Sequence, residues 1–281
     1  MPGVKEIKNR IKSIADTQKI TNAMYLVASA KLTSAKADFA TFSPYSDEVH
    51  RLIREALSDI DSEDCIYLQK PEDAPDAYLI IGSDKGLAGD YNKQIIRETE
   101  KIYKENPQAE LFVIGERIKS GLKKAGVDIR ADFDFSLKKP DDGSAEFLKN
   151  YFDTLFIEGK ISSLAVIYSG FGGGQAYKVS RKQILPIKLI RESEASNTGC
   201  EFLPDRQSIA GTLIPIYLKA VFRGIILHSF CSEQNARMLA MKNANDNAKD
   251  LLNSLTLEYN HTRQNAITRE ITEISGERKQ S

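Results

Sequence analysis

Tryptophan is absent, cysteine and histidine occur three times each, and 39 basic residues are cancelled by 39 acidic ones. Each shortage excludes something. Zero net charge excludes the positive excess of a general nucleic-acid binder and the one-signed charge of a disordered tail. Cys65, Cys200 and Cys231 are odd in number, widely spaced and never CxxC, so neither a disulfide framework nor a zinc site is expected. His50, His228 and His261 stand alone, with no second ligand one turn on, so no metal or cofactor is expected. No run approaches the roughly 18 apolar residues of a membrane-spanning helix, so direct membrane insertion is not expected. Met1-Pro2-Gly3-Val4-Lys5-Glu6 carries neither an apolar signal core nor an Arg/Ser-rich transit composition, which points to a soluble chain made in the cytosol.

What is present begins with length. The 281 residues give a prior of about two folded units, and 28% charge without tryptophan favours long solvated helices. Stepping alternately by three and four from Val4 visits Ile7, Ile11, Ile14, Gln18, Thr21, Tyr25, Ala28, Leu32, Ala35, Phe39 and Phe42. Ten of those twelve positions are apolar, the seam of a coiled coil. Pro44 interrupts it, and Val49, Ile53 and Leu57 resume one face, so residues 4–58 read as one helix with a bend near Pro44.

A second seam runs through Leu213, Tyr217, Ala220, Gly224, Leu227, Cys231, Gln234, Met238, Met241, Asn245, Ala248, Leu252, Leu255, Tyr259, Thr262 and Ala266. Ile267, Ile271 and Ile274 then shift the stripe by a residue, a stutter. Residues 205–275 would extend on the order of 105 Å as a helix, with Pro215 kinking or starting it. Such helices need a partner along the seam. The economical arrangement is an antiparallel left-handed coiled coil of the two ends, with the middle inserted as an α/β domain.

That middle has the short apolar runs of buried strands at 78–81, 111–114 and 164–168, alternating with helical stretches near 91–105, 116–125 and 144–158. Residues 127–135 alternate at period two, as a half-exposed edge strand should. Glycines 170 and 172–174 then turn the chain into an antiparallel return strand over 177–190. The expected class is therefore a mixed sheet flanked by helices. Acidic residues 59–76 and polar residues 192–204 mark the boundaries, giving segments 1–58, 75–192 and 205–281.

Candidate chemistry is sparse. Gly82-Ser83-Asp84-Lys85-Gly86-Leu87-Ala88-Gly89 follows a strand and precedes a helix, but matches neither the P-loop nor the dinucleotide pattern; a tight turn with close backbone approach is the default. No Ser-His-Asp set, paired helix carboxylates or nucleophile elbow stands out, so no catalytic residue is expected. Apolar surface, by contrast, is in excess. Ile20, Ala23, Met24, Leu26, Val27, Ala28 and Ala30 make their helix apolar nearly all round, which asks for either a third helix or a hydrophobic sleeve of other subunits.

Four motifs fall in order along the chain: Thr17-Gln18-Lys19-Ile20-Thr21 with Ala23-Met24 and Val27-Ala28-x-x-Lys31; the 83–89 loop with Asn92; Ser232-Glu233-x-x-Ala236-Arg237-Met238 with Asp246-Asn247-Ala248; and Tyr259-Asn260-x-Thr262-Arg263-Gln264-x-x-Ile267-Thr268. Together they resemble the gamma subunit of F-type ATP synthases. The resemblance implies a non-catalytic central rotor shaft, one copy per complex, coupling ion transport (protons or sodium ions) through a membrane c-ring to ATP synthesis or hydrolysis at the beta subunits. It implies alpha, beta and epsilon subunits and the c-ring as partners, and a peripheral place on the cytoplasmic face of a bacterial membrane. It further implies subunit contacts at Met24, Lys31, Glu233, Arg237, Thr262, Arg263 and Gln264, with Thr262, Arg263 and Gln264 facing the beta subunits near the top of the shaft and Met24 and Lys31 on the neighbouring helix. The alternatives are a coiled-coil scaffold or adaptor without rotary function and, more weakly, a nucleotide-binding enzyme using the 82–89 loop.

Overall fold

The structure is a computed structural model that describes residues 3–58, 60, 65–133, 140–172, 178–188 and 206–277. It divides into two compact units, one made of residues up to Ser29 with those from Arg237 onward, the other of Ala30–Ala236.

Helix α1 spans Val4–Leu57 without a glycine, and Pro44 lies inside it. Helix α5 spans Arg206–Glu277 with Pro215 inside, so that proline does not start the helix. In the first unit the helices bury the two seams and little else. Ile7 and Ala28 of α1 and Met241 and Leu255 of α5 are buried. The remaining seam positions from Val4 to Tyr25 and from Met238 to Thr262 are half-buried. Thr21, a polar seam position, satisfies its hydroxyl by donating to the Gln18 carbonyl at 3.0 Å.

Between α1 and α5, the second unit inserts a five-stranded sheet in the order β3-β2-β1-β4-β5. Strands β1 (Asp76–Ile81), β2 (Glu110–Ile114), β3 (Ala131–Asp132) and β4 (Ser163–Gly170) are parallel, and β5 (Lys178–Leu185) returns antiparallel along β4. Alternation at period two sends neighbouring residues to opposite layers. Leu79, Ile81, Phe112 and Val166 pack against Phe152 and Phe156 of α4 (Asp142–Ile157), Leu218 and Phe222 of α5, and Ile53 and Leu57 of α1. Tyr78, Ile80, Val113 and Ile167 pack against Tyr91 and Ile95 of α2 (Tyr91–Glu105) and Ile118 and Leu122 of α3 (Glu116–Lys124). Each such large side chain taken out of water contributes about 1.5–3 kcal/mol before entropy is set against it.

Within this unit α1 and α5 run antiparallel. Phe39 meets His228 at a ring separation of 4.7 Å, whereas His50, later on α1, meets Tyr217, earlier on α5, at 5.1 Å. Arg223 lies over the Phe42 ring at 4.8 Å and pairs with Asp142 at 2.6 Å, tying α5 to both α1 and α4.

Three expectations need correction. The nine-residue edge strand over 127–135 shrinks to the two residues of β3, still at the edge. Gly126 adopts φ 73°, and the amides of Gly126 and Val127 donate to the carbonyls of Lys123 and Leu122. Residue 127 is thus committed to ending α3, while residues 134 and 135 lie outside the described residues. Helix α4 begins two residues early because the Asp141 side chain accepts from the Ser144 amide at 2.9 Å. Lastly, an 18-residue window within Ser208–Arg269 has a mean hydropathy of 1.5, so α5 is apolar enough by length and composition to cross a membrane. The run was missed because polar residues punctuate it. The fold buries 44% of that window, and Ile214, Leu218, Phe222 and Ile225 cover the sheet. The glycine turn at 173–174 and the polar boundary at 192–204, with Cys200, lie outside the described residues.

Candidate functional site

At 100° per residue, the α1 seam residues Ile14, Gln18, Thr21, Tyr25 and Ala28 share one face. Ile20, Ala23, Leu26, Val27 and Ala30 share another, roughly 120° wide and centred about 180° from the seam. With its seam already used by α5, α1 leaves this second face bare. Ile20 is 61% exposed, Leu26 and Val27 are each 57% exposed, and Ala23 and Ala30 are exposed. Among the described residues no third helix covers them. On α5, Leu251 and Leu257 of the same unit, and Ile267 and Ile271 beyond the seam, are exposed as well.

The seven candidate contact residues do not form one cluster. Met24 is half-buried on the flank of the α1 seam, and Lys31, two turns on, is exposed. Glu233 is half-buried and Arg237, one turn further along α5, is buried; both have interaction partners within the chain. Thr262 is the last half-buried seam position of α5, and Arg263 and Gln264 beside it are exposed. Arg263 flanks the seam, whereas Gln264 points well away from it. Along the two seams, burial begins at Val4 on α1 and ends at Thr262 on α5.

The 82–89 loop is a tight strand-to-helix turn held by side chains. A Cβ on Gly82 would stand 2.5 Å from Ile118 of α3, so only glycine lets the helix approach. The Ser83 amide donates to Asn92 Oδ1 at 3.1 Å, and Asn92 Nδ2 donates back to Ser83 Oγ at 2.6 Å. Asn92 is thus the latch of the loop, a role legible only as spacing in the sequence. Tyr91 beside it is fully buried, its hydroxyl 2.8 Å from Ser229 Oγ of α5; nothing in the sequence pointed to that bond. Among the described residues no three of His, Cys, Asp and Glu gather as a metal-binding group. Cys231 is buried, and burial pushes its thiol up to about 11.

Paired terminal helices, with an apolar face of α1 exposed, define a coiled-coil protein with an inserted α/β domain. The ATP synthase family model matches residues 3–277. The ATP synthase gamma chain of Clostridium novyi (strain NT) is 34% identical over 278 residues, covering 98% of this chain and 96% of that one. The gamma chain of Staphylococcus aureus (strain JH9) is 34% identical over 282 residues, covering 98% of each. The chain belongs to the ATP synthase gamma-chain family. Its fold is also similar to a chain of the Euglena gracilis mitochondrial ATP synthase (OSCP/F1/c-ring, rotational state 3), with a TM-score of 0.73 at 17% identity over 98% of this chain and 93% of that one. A chain of the Tetrahymena thermophila mitochondrial ATP synthase central stalk and c-ring gives a TM-score of 0.60 at 22% identity, over 80% of this chain and 99% of that one.

Proposed function

We propose that this chain is the central rotor shaft of an F-type ATP synthase, coupling ion movement through a membrane c-ring to ATP synthesis or hydrolysis. The observation that carries the reading is the bare apolar face of α1 opposite its satisfied seam, in a chain of the gamma family. A ring of alternating alpha and beta subunits encloses that face. The chain holds no catalytic group of its own; ATP chemistry belongs to the beta subunits. Coupling requires differential contact: the shaft presents different side chains to each beta subunit as it turns, and only an interaction that differs between beta conformations shifts their populations. Segments 1–58 and 205–281 act as the shaft, and segment 75–192 meets the epsilon subunit and the c-ring. The chain is peripheral, on the cytoplasmic face of the membrane, in one copy per complex. Met24, Lys31, Glu233, Arg237, Thr262, Arg263 and Gln264 are the contact residues assigned to it.

Co-expression with alpha and beta subunits tests this directly. Recovery of a complex with one copy of this chain, and ATP-driven proton pumping once it is joined to a membrane sector, is the expected result. Failure to co-purify with alpha and beta subunits, with other coiled-coil partners recovered instead, would establish the scaffold reading.

A further inference from the structure

Three elements of the second unit bring both partly buried histidines together with a lysine. His50 on α1 packs edge-on against Tyr217 of α5 at 5.1 Å, and His228 on α5 packs edge-on against Phe39 of α1 at 4.7 Å. The two pairs are reciprocal: each helix contributes one imidazole and one aromatic ring. Lys182 of β5 pairs across the sheet with Val166, whose side chain faces the α4–α5 layer, so Lys182 faces that layer too. It is half-buried, and no carboxylate among the described residues forms an ion pair with it. Its positive charge reaches both imidazoles.

We propose that His50 and His228 form a proton-sensitive clasp, holding α1 against α5 and β5 while both rings are neutral and loosening when they become charged. Burial favours the neutral forms, while hydrogen bonding fixes how each ring is held. His50 Nδ1 lies 2.7 Å from the Ser46 carbonyl, an acceptor, so Nδ1 carries the proton and Nε2 is bare. His228 Nδ1 is buried with no partner among the described residues. Protonating it would create a buried N–H without an acceptor, in a site lined by Phe39 and Tyr168.

The surrounding charges act in the same direction on balance. Around His50 stand Tyr217 of α5, Lys182 of β5, and Asp47 and Arg54 of its own helix; the hydrogen bond to the Ser46 carbonyl and, less so, Asp47 favour the charged ring. Around His228 stand Phe39 of α1, Tyr168 of β4 and Lys182 of β5, with the Phe171 backbone favouring the charged ring. Burial is the larger influence on both, and both imidazoles are held below the usual 6.5. Burial raises Tyr168 and Tyr217, so these phenols stay neutral. A ring whose folded value is lowered contributes its full stability above pH 6.5 and loses it as pH falls through the folded value.

The test follows amide hydrogen exchange of the full-length chain from pH 7.5 to pH 5, corrected for intrinsic rates, alongside NMR titration of the imidazoles. Residues 39–53 should lose protection below pH 6.5 while residues 91–105 of α2 keep theirs, and both rings should titrate below 6.5. Lys182→Met, which retains both histidines, should shrink the loss; the double variant His50→Gln/His228→Gln should abolish it. Rings titrating at or above 6.5, equal loss in α2, or an unchanged pH profile in Lys182→Met would overturn the clasp.

Discussion

Gly82 shows how little freedom single positions have where the α/β layers meet. Its missing Cβ would overlap the Ile118 side chain at 2.5 Å, inside a core that includes Ile80 and Leu122. Gly82→Ala should destabilise the chain by about 1–3 kcal/mol through overpacking, read as a lower urea midpoint at unchanged slope. Asp76 opens β1 and acts electrostatically. Burial alone would raise its carboxyl, but hydrogen bonds from Ser163, Lys70 and Ser162 together outweigh that and hold it below the usual 3.8. Its stabilisation is therefore present above pH 3.8 and lost as pH falls through the lowered folded value. Asp76→Asn should cost about 1–2 kcal/mol at pH 7, and the gap from the parent should close on acidification. Arg263 is the opposite case, an exposed guanidinium without a role in the chain's own fold. Arg263→Ala should leave the melting midpoint of the isolated chain unchanged. If in assembled complexes its planar guanidinium pairs with a partner carboxylate, both Arg263→Ala and Arg263→Lys should lose coupled pumping, Ala by about 2–5 kcal/mol in contact energy. Parental pumping in both variants would mark Arg263 as a bystander.

At the scale of elements, legibility followed the range of the interaction that fixes each one. Both seams are local periodic signals, and nearly every seam position from Val4 to Thr262 is at least half-buried. The strands at 78–81, 111–114 and 164–168 were legible because burial on both faces leaves continuous apolar runs. The 127–135 strand was misread because Gly126 and Val127 serve a helix end, and period-two alternation cannot reveal where an α3 carbonyl needs a donor. A seam likewise states which face is covered, not which residue lies opposite. Cysteines at positions 14 and 252, or at 14 and 255, test the antiparallel pairing. Disulfides should form within one chain and remain monomeric on non-reducing gels; crosslinks only between chains would assign the seams to a homodimer instead.

For the whole molecule, one mismatch points outward from the fold. The second unit closes a well-covered sheet between its layers, yet α1 keeps Ile20, Leu26 and Val27 in water on the side its partner helix does not reach. Exposed apolar side chains contribute nothing to the isolated chain, so replacing all three by glutamine, a good helix former, should change its unfolding free energy by no more than about 0.5 kcal/mol per site. Inside a ring of subunits the same side chains would each contribute about 1.5–3 kcal/mol on burial, less the cost of association. The triple variant should therefore melt like the parent and yet fail to hold alpha and beta subunits through a salt wash. Salt screens surface charge pairs but not apolar burial, so the parent complex should survive that wash. Equal retention of alpha and beta subunits by parent and variant would show that the face is not enclosed, and that the grip of the ring lies on α5 alone.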